Sequence, residues 1–208
     1  MDRAGLPAGL PERLLAQLRF AVEIDRLKTV VRRTSLASAD RRENDAEHSW
    51  HLAVLVPLLA EYAALPIDVG HTMRLVVLHD LVEIHAGDTF LFDPVASADQ
   101  RERESAAADR LFALLPVDQE AEFRGLWEEF EAHRTPEARF ARSMDRFQSL
   151  LLNFTNAGGT WRTPGVTDRE VRQRKEVIGD GAPALWQLAQ ELIGLGVERG
   201  WVARSGES

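Results

Sequence analysis

Apolar residues recur at intervals of three and four along almost the whole chain, and this spacing constrains the fold more than any other feature. Within residues 12–28, for example, the apolar positions include Leu14, Leu15, Leu18, Ala21, Val22 and Ile24. Such spacing places apolar side chains on one side of an α-helix. The same pattern predicts further helices over residues 45–64, 66–85, 97–115, 118–133, 136–155, 168–178 and 183–199. Strand-like alternation is confined to the ambiguous residues 28–32, so the sequence predicts an all-α fold of about seven or eight helices.

Composition and charge exclude several classes of protein. The 208 residues can bury a full core, and we expect a single domain over residues 1–208. A net charge of −8 argues against a nucleic-acid polymer or a membrane surface as the main partner. The absence of cysteine excludes disulfides and thiolate sites. No apolar run reaches the roughly 18 residues of a membrane span. The N-terminus also lacks the apolar part of a secretion signal, so a cytoplasmic location is predicted.

The doublet His79-Asp80 stands in an otherwise apolar part of a predicted helix. It follows Leu75-Val76-Val77-Leu78 and precedes Leu81-Val82-Glu83. Buried polar groups must be paired, and a buried charge needs a counter-charge or a metal. An imidazole with nearby carboxylates suits Zn, Mn, Fe, Co or Ni. The alternative is a histidine that only hydrogen-bonds its neighbours, so further ligands elsewhere in the chain decide between the two.

Two further candidate ligands lie on other predicted helices. His48 stands near the start of one helix, and Asp145 lies in the middle of another. Together with the doublet they give the order H…HD…D on three helices. Two imidazoles and two carboxylates leave coordination positions for water and substrate on a five- or six-coordinate metal. Rigid helices suit a preorganised site of this kind.

These motifs resemble the HD-domain metal-dependent phosphohydrolase superfamily, and within it the 5′-deoxynucleotidase-like HD family. The resemblance runs from about residue 27 to residue 153 and implies an HD-domain helical bundle. Its metal-binding core would span about residues 27–155, with a C-terminal helical extension over about residues 168–200. The matching pieces are Arg33, Glu47-His48-Ser49, Leu78-His79-Asp80-Leu81-Val82-Glu83, Gly87-Asp88-Thr89, Arg103-Glu104, Leu126-Trp127-Glu128-Glu129-Phe130-Glu131 and Met144-Asp145-Arg146.

The resemblance implies that His48, His79, Asp80 and Asp145 bind one divalent metal ion, with Mn, Co, Mg, Zn, Fe and Ni all open. Such an ion polarises a phosphoryl oxygen and lowers the pKa of a bound water. The lack of a further well-matched histidine pair between Asp80 and Asp145 favours one metal over two.

Two carboxylates are candidates for proton transfer. Glu83 is four residues beyond His79, hence one turn away on the same face of the predicted helix, where it can act as general base or orient a water. Asp88 follows Gly87, which is expected to end that helix. The resemblance makes Asp88 the candidate acid for the leaving alkoxide, and this role needs a raised pKa. Glu83 and Asp88 can also exchange these two roles. The alternatives are that Glu83 is only a surface residue and that Asp88 is only a turn residue.

Arg33 is the candidate phosphate-binding residue, because it precedes His48 by 15 residues, as the family's phosphate-binding arginine does. A guanidinium can hold a phosphate with two hydrogen bonds. Arg32 is the adjacent rival. Thr34 departs from the family pattern, because deoxynucleotidases of this family have a tryptophan there that senses the 2′ position of the sugar.

The sequence therefore predicts a metal-dependent phosphomonoesterase whose substrate is small and phosphorylated, in particular a nucleoside 5′-monophosphate. One alternative is an HD-fold iron-dependent oxygenase, which would need a second metal. Another is a non-catalytic protein that the metal stabilises. The resemblance also implies a homodimer, and the apolar C-terminal residues can either meet a partner or pack the chain's own core: Leu185, Trp186, Leu192, Ile193 and Trp201.

Overall fold

Helices form nearly all of the regular structure in the computed structural model, which describes residues 5–7, 9–88 and 99–206. Eight described helices have eight or more residues, which confirms the predicted all-α fold and helix number. Thr89 of the Gly87-Asp88-Thr89 motif and the first two residues of the predicted helix 97–115 lie outside the described part. The helices are α1 Glu12–Ile24, α2 Asp45–Leu59, α3 Val69–Leu78, α4 Glu83–Ala86, α5 Gln100–Phe112, α6 Val117–Ala132, α7 Pro136–Thr155, α8 Asp168–Lys175, α9 Ile178–Gly181 and α10 Pro183–Glu198.

The longest helix, α7, lies at the centre of the bundle and packs against α2, α3, α6, α9 and α10. Its start is well defined, because the Thr135 hydroxyl accepts a hydrogen bond from the Ala138 amide and Pro136 occupies the first turn. Phe140 and Met144 are fully buried. Asp145 follows directly, so a carboxylate is carried into the middle of the bundle.

A short hairpin precedes α2. Strand β1, Val31–Ser35, pairs antiparallel with β2, Arg42–Asn44. The sequence left residues 28–32 ambiguous, and the structure shows that this segment leads into a strand. Asn44 then caps α2 with Glu47: the Glu47 amide donates to Asn44 Oδ1 at 2.9 Å, and the Asn44 amide donates to the Glu47 carboxylate at 3.1 Å. This cap fixes where His48 enters the bundle.

The single helix predicted over residues 66–85 is wrong, because the chain leaves regular α-helix at His79. Helix α3 ends at Leu78, and α4 begins only at Glu83. Between them the Leu81 amide donates to the Leu78 carbonyl at 3.2 Å and the Glu83 amide to the Asp80 carbonyl at 3.0 Å. These bonds span three residues rather than four, so the turn is tighter than an α-helix. Apolar periodicity does not detect this change, because both conformations keep the same side chains buried.

The C-terminal helices pack onto the chain's own core. Leu185 and Ile193 are buried, and Trp186 and Leu192 lie partly buried against the same core. Large apolar side chains are instead exposed on α2, where Trp50 is 68% and Leu58 is 63% exposed. None of the described helices combines the length and apolar character needed to cross a bilayer.

We predict that Gly181→Ala destabilises the fold by about 1–3 kcal/mol, because the added methyl overpacks the contact between α9 and α7. A Cβ at Gly181 would lie 2.4 Å from the Arg139 carbonyl oxygen and 2.6 Å from the Phe140 nitrogen, both backbone atoms. Gly125→Ala is the matched control, because a Cβ there meets nothing within 4 Å. Urea unfolding measures both variants, and equal stabilities would contradict the contact.

Candidate metal centre

Two imidazoles and a carboxylate converge where α2, α7 and the turn after α3 meet. His48, His79 and Asp145 each offer a ligand atom, and these atoms all lie within 4.8 Å of one another. All three residues are buried. The two imidazole ring centroids are 5.6 Å apart, and His48 Nε2 is 3.2 Å from Asp145 Oδ1. The tertiary structure therefore joins residues that are about 100 positions apart in the sequence.

Hydrogen bonds orient both rings for a metal. The Gln148 side-chain amide donates to Glu43 at 2.7 Å, which leaves its oxygen to accept from His48 Nδ1 at 3.2 Å. His79 Nδ1 donates to the Val76 carbonyl at 2.8 Å. With Nδ1 as the donor in both rings, both Nε2 atoms face the cluster, which is the usual orientation of metal-bound histidines. His79 Nε2 is buried and makes no well-oriented hydrogen bond among the described residues, although Asp80 Oδ1 lies 2.9 Å from it. Two inward-facing imidazoles beside two carboxylates are a donor set that fits a metal ion.

Asp80, the fourth predicted ligand, borders the same cluster. Its Oδ1 is 2.9 Å from His79 Nε2, and its Oδ2 is 3.8 Å from His48 Nε2. Burial would raise the Asp80 pKa, but the neighbouring His79 ring and the charge of Arg32 hold that pKa below its usual value. Asp80 is therefore an anion at neutral pH. The structure brings all four predicted ligands together.

Arg32, rather than Arg33, faces this site. Arg32 donates from Nη1 to Asp80 Oδ2 at 2.7 Å and to Asp45 Oδ1 at 3.0 Å, and its side chain is 14% exposed. Side chains alternate across a strand. Arg32 and the buried Thr34 therefore point inward from β1, while Arg33 is exposed on the other face. We therefore correct the assignment of Arg33 to the site. The face of β1 on which a residue lies depends on the β1–β2 hairpin, which the sequence did not predict.

A second, acidic group lies beside the first. Oxygen atoms of Asp45, Glu83 and Asp88 all lie within 4.8 Å of one another. Burial, together with the charge of Asp80, raises the Asp45 pKa to about 6. Burial and the charges of Asp80 and Asp45 raise the Glu83 pKa well above its usual value. The Asp45 and Glu83 carboxyls are close enough to share a proton, and sequence reasoning missed Asp45 because it treated that residue only as a helix cap.

The Asp88 carboxyl group also has a raised pKa, and burial is the main cause. It lines the same cavity as Asp80, Glu83 and Asp145. This cavity has a volume of about 250 Å³, which suits part of a small molecule better than a polymer strand. Glu83, Asp88 and three of the four predicted metal ligands, His79, Asp80 and Asp145, therefore face a common space.

Glu43 and Gln148 are site residues that the sequence did not reveal. Both are buried, and they connect His48 to His51, whose Nδ1 is 3.2 Å from Gln148 Nε2. Glu43 follows Asp40, Arg41 and Arg42, and such a charged run usually indicates a solvated loop. Only the packing of α7 against α2 and β2 shows that this carboxylate is enclosed.

A helical bundle with a buried cluster of two histidines and an aspartate defines a metal-binding helical protein. The profile of the HD domain family matches residues 24–186. The chain therefore belongs to the HD domain family, which confirms the resemblance read from its motifs.

The names of similar proteins, both solved structures and curated sequences, are consistent with membership of this family. A predicted metal-dependent phosphohydrolase from Magnetospirillum magnetotacticum MS-1 is 50% identical, with a TM-score of 0.87 over 92% of this chain and 96% of that one. The 5′-deoxynucleotidase HDDC2 of Xenopus laevis is 31% identical over 64% of this chain and 66% of its own length. The 5′-deoxynucleotidase hdd1 of Schizosaccharomyces pombe is 27% identical over 63% of this chain and 67% of its own length. This chain thus spans about two thirds of the length of those curated relatives.

Proposed function

We propose that this protein is a metal-dependent phosphohydrolase that releases phosphate from a small phosphomonoester, in particular a nucleoside 5′-monophosphate. The observation that carries the proposal is the shared cavity, which joins the candidate metal ligands to Glu83 and Asp88. The names of the similar proteins, a metal-dependent phosphohydrolase and several 5′-deoxynucleotidases, support the same class of reaction.

One divalent ion would be held by His48, His79, Asp80 and Asp145. When bound, such an ion supplies positive charge for the phosphoryl group and makes a water more acidic. The ring orientations set by Gln148 and the Val76 carbonyl favour this assignment. Imidazole and carboxylate ligands accept Mn, Co, Mg, Zn, Fe or Ni, so cellular supply would select the ion.

The chain's own carboxyls would move the protons. Glu83, which lies beside Asp45, would in its ionised form accept the proton of the attacking water. Asp88 would give a proton to the leaving alkoxide, because burial keeps its carboxyl protonated at a higher pH than usual. Arg32 would hold Asp80 and Asp45 in place through its two hydrogen bonds.

A dinuclear oxygenase is not supported by the described residues. The second group that could hold a metal consists of Asp45, Glu83 and Asp88, and it contains no histidine. We therefore do not propose an oxygenase. A purely structural metal site is not proposed either, because Glu83 and Asp88 face the cavity beside the ligands.

Phosphate release tests the proposed function directly. The purified protein is incubated with nucleoside 5′-monophosphates and sugar phosphates, with Mn, Co, Mg or Zn added in turn. We expect release from at least one nucleotide and none after chelation of the metal. If metal is bound but no substrate releases phosphate above background, the proposal is wrong.

We predict weak discrimination between ribose and deoxyribose. None of the five tryptophans of the chain lines the described cavity; Trp50, for example, is exposed, and Trp161 is buried near α10. Thr34 takes the position of the family's sugar-sensing tryptophan. Without a side chain dedicated to the 2′ position, kcat/KM for AMP and dAMP should differ by less than about tenfold. A preference of 100-fold or more would contradict this expectation.

Three further properties are proposals from the sequence and the resemblance. We infer a single domain over residues 1–208, supported by the packing of α9 and α10 on α7. We infer a cytoplasmic location. We also infer a homodimer, and the exposed apolar residues of α2, Trp50, Val54 and Leu58, are available for such contact. Light scattering in solution measures the oligomeric state.

A further inference from the structure

Three arginines line the cavity beside the candidate metal ligands, and the roles proposed above do not include them. Arg142 and Arg146 come from α7, and Arg174 comes from α8. Arg142 and Arg146 are four residues apart, so their side chains lie next to each other on one face of the helix. Two cations in this arrangement repel each other unless an anion lies between or beside them.

The described residues provide these arginines with little compensating charge. Asp145 Oδ2 is 3.9 Å from Arg142 Nη1 and 3.7 Å from Arg146 Nε, too far for hydrogen bonds. Arg142 Nε is buried and has no hydrogen-bond partner among the described residues. If Asp145 binds a metal, still less of its negative charge is available to either arginine.

Arg32 is in the opposite situation. It donates hydrogen bonds to two carboxylates, Asp80 and Asp45. Both bonds come from Nη1, at 2.7 Å to Asp80 Oδ2 and 3.0 Å to Asp45 Oδ1. The positive charge of Arg32 is therefore already compensated by two carboxylates, so it attracts a phosphate less strongly than an arginine without a hydrogen-bonded carboxylate does.

Glu104 also lines the cavity, but its charge is moderated. Gln100 donates a hydrogen bond to it at 2.6 Å, and burial together with the charge of Glu131 raises the Glu104 pKa. Glu131 lines the cavity as well, next to Glu104. Among the described residues, no carboxylate is hydrogen-bonded to Arg142 or Arg146, and Arg142 Nε remains without a partner.

Resting on the proposed function, we propose that Arg142, Arg146 and Arg174 bind the phosphate group of the substrate, while Arg32 is a positioning residue for Asp80. Guanidinium groups form paired, charge-assisted hydrogen bonds with phosphate oxygens, so two or three of them can hold a dianion. The three residues differ from Arg33, which the sequence assigned to this role and which the structure places on the outer face of β1.

Orthophosphate binding tests this proposal without requiring turnover. Protein loaded with Mn²⁺ is titrated with orthophosphate, and binding is followed by broadening of the ³¹P resonance and by calorimetry. We expect Arg142→Met, Arg146→Met and Arg174→Met each to weaken binding by about 10- to 100-fold, which is the range for losing charge-assisted hydrogen bonds. Arg139→Met is the matched control, because Arg139 is an exposed arginine of α7 outside the cavity lining.

The readouts separate this proposal from the proposed function. Mn²⁺ content should be unchanged in all four variants, and thermal unfolding checks that each variant is folded. Of the three cavity variants, Arg174→Met should disturb the fold least, because Arg174 is exposed. In turnover assays, KM should rise more than kcat falls. Unchanged orthophosphate binding in folded Arg142→Met and Arg174→Met would overturn the arginine assignment and leave the hydrolase proposal intact. Arginine-dependent binding without hydrolysis of any substrate would support the assignment and contradict the hydrolase.

Discussion

His79→Ala should abolish both metal binding and phosphate release. The change removes a buried Nε2 atom that faces His48 and Asp145 and makes no hydrogen bond in the described structure. Metal binding stabilises a folded protein by about 2.7 kcal/mol at 100 times the dissociation constant. Added Mn²⁺ should therefore raise the unfolding temperature of the wild type and leave that of the variant unchanged. Metal content, measured on dialysed protein, gives the same comparison directly.

His71→Ala is the matched control for this loss. His71 also lies on α3, but its Nε2 pairs with Glu129 at 2.8 Å and it does not line the cavity. Because His79 also packs against Phe130, with ring centroids 4.6 Å apart, part of its effect can come from packing. Asp145→Asn keeps the side-chain volume and should give the same loss of metal. Full metal content in both variants would rule out the proposed ligand set.

Glu83→Gln should lower kcat by about 10²- to 10⁴-fold, the range for loss of a general acid or base. The change leaves His48, His79, Asp80 and Asp145 in place, so metal content should not change. A protein that only uses the metal for stability would lose nothing. Asp88→Asn tests the other carboxyl. The limb of the pH–rate profile that disappears in each variant assigns the base and the acid.

Glu83→Gln should also change how the stability of the metal-free protein depends on pH. The Glu83 pKa is raised in the folded state, so folded Glu83 binds its proton more tightly than unfolded Glu83 does. By linkage, this stabilising contribution is complete below the unfolded pKa of about 4.3 and decreases as pH rises towards the folded pKa. Glu83→Gln removes that dependence. The unfolding temperature of the variant should therefore exceed that of the wild type by a margin that grows above pH 5, and a constant difference would contradict the raised pKa.

The helical elements were predictable because they depend on local patterns. Apolar spacing gave the long helices, and Thr135 with Pro136 marks the start of α7 within the sequence itself. The tight turn over His79–Val82 was not predictable, because it keeps the same side chains buried as a continuous helix. The β1–β2 hairpin was also missed, since its strands have only five and three residues.

The metal ligands could be proposed from chemistry before any geometry was known. A histidine and an aspartate inside an apolar run require partners. The resemblance to the HD family then implied that His48 and Asp145 are these partners. Glu43 and Gln148 could not be found in this way, because their burial depends on contacts that join residues 105 positions apart. Nothing in the local sequence of either residue indicates that contact.

The sequence by itself therefore determined the helical fold, the candidate ligands and the class of chemistry, because residue type and local spacing control them. Only the tertiary structure decided which arginines face the cavity. Strand parity turns Arg32 inward and Arg33 outward, and the packing of α7 and α8 brings Arg142, Arg146 and Arg174 to one space. It also decided the protonation of Asp45 and Glu83, because a pKa shift depends on burial and neighbouring charge, which only the folded chain provides.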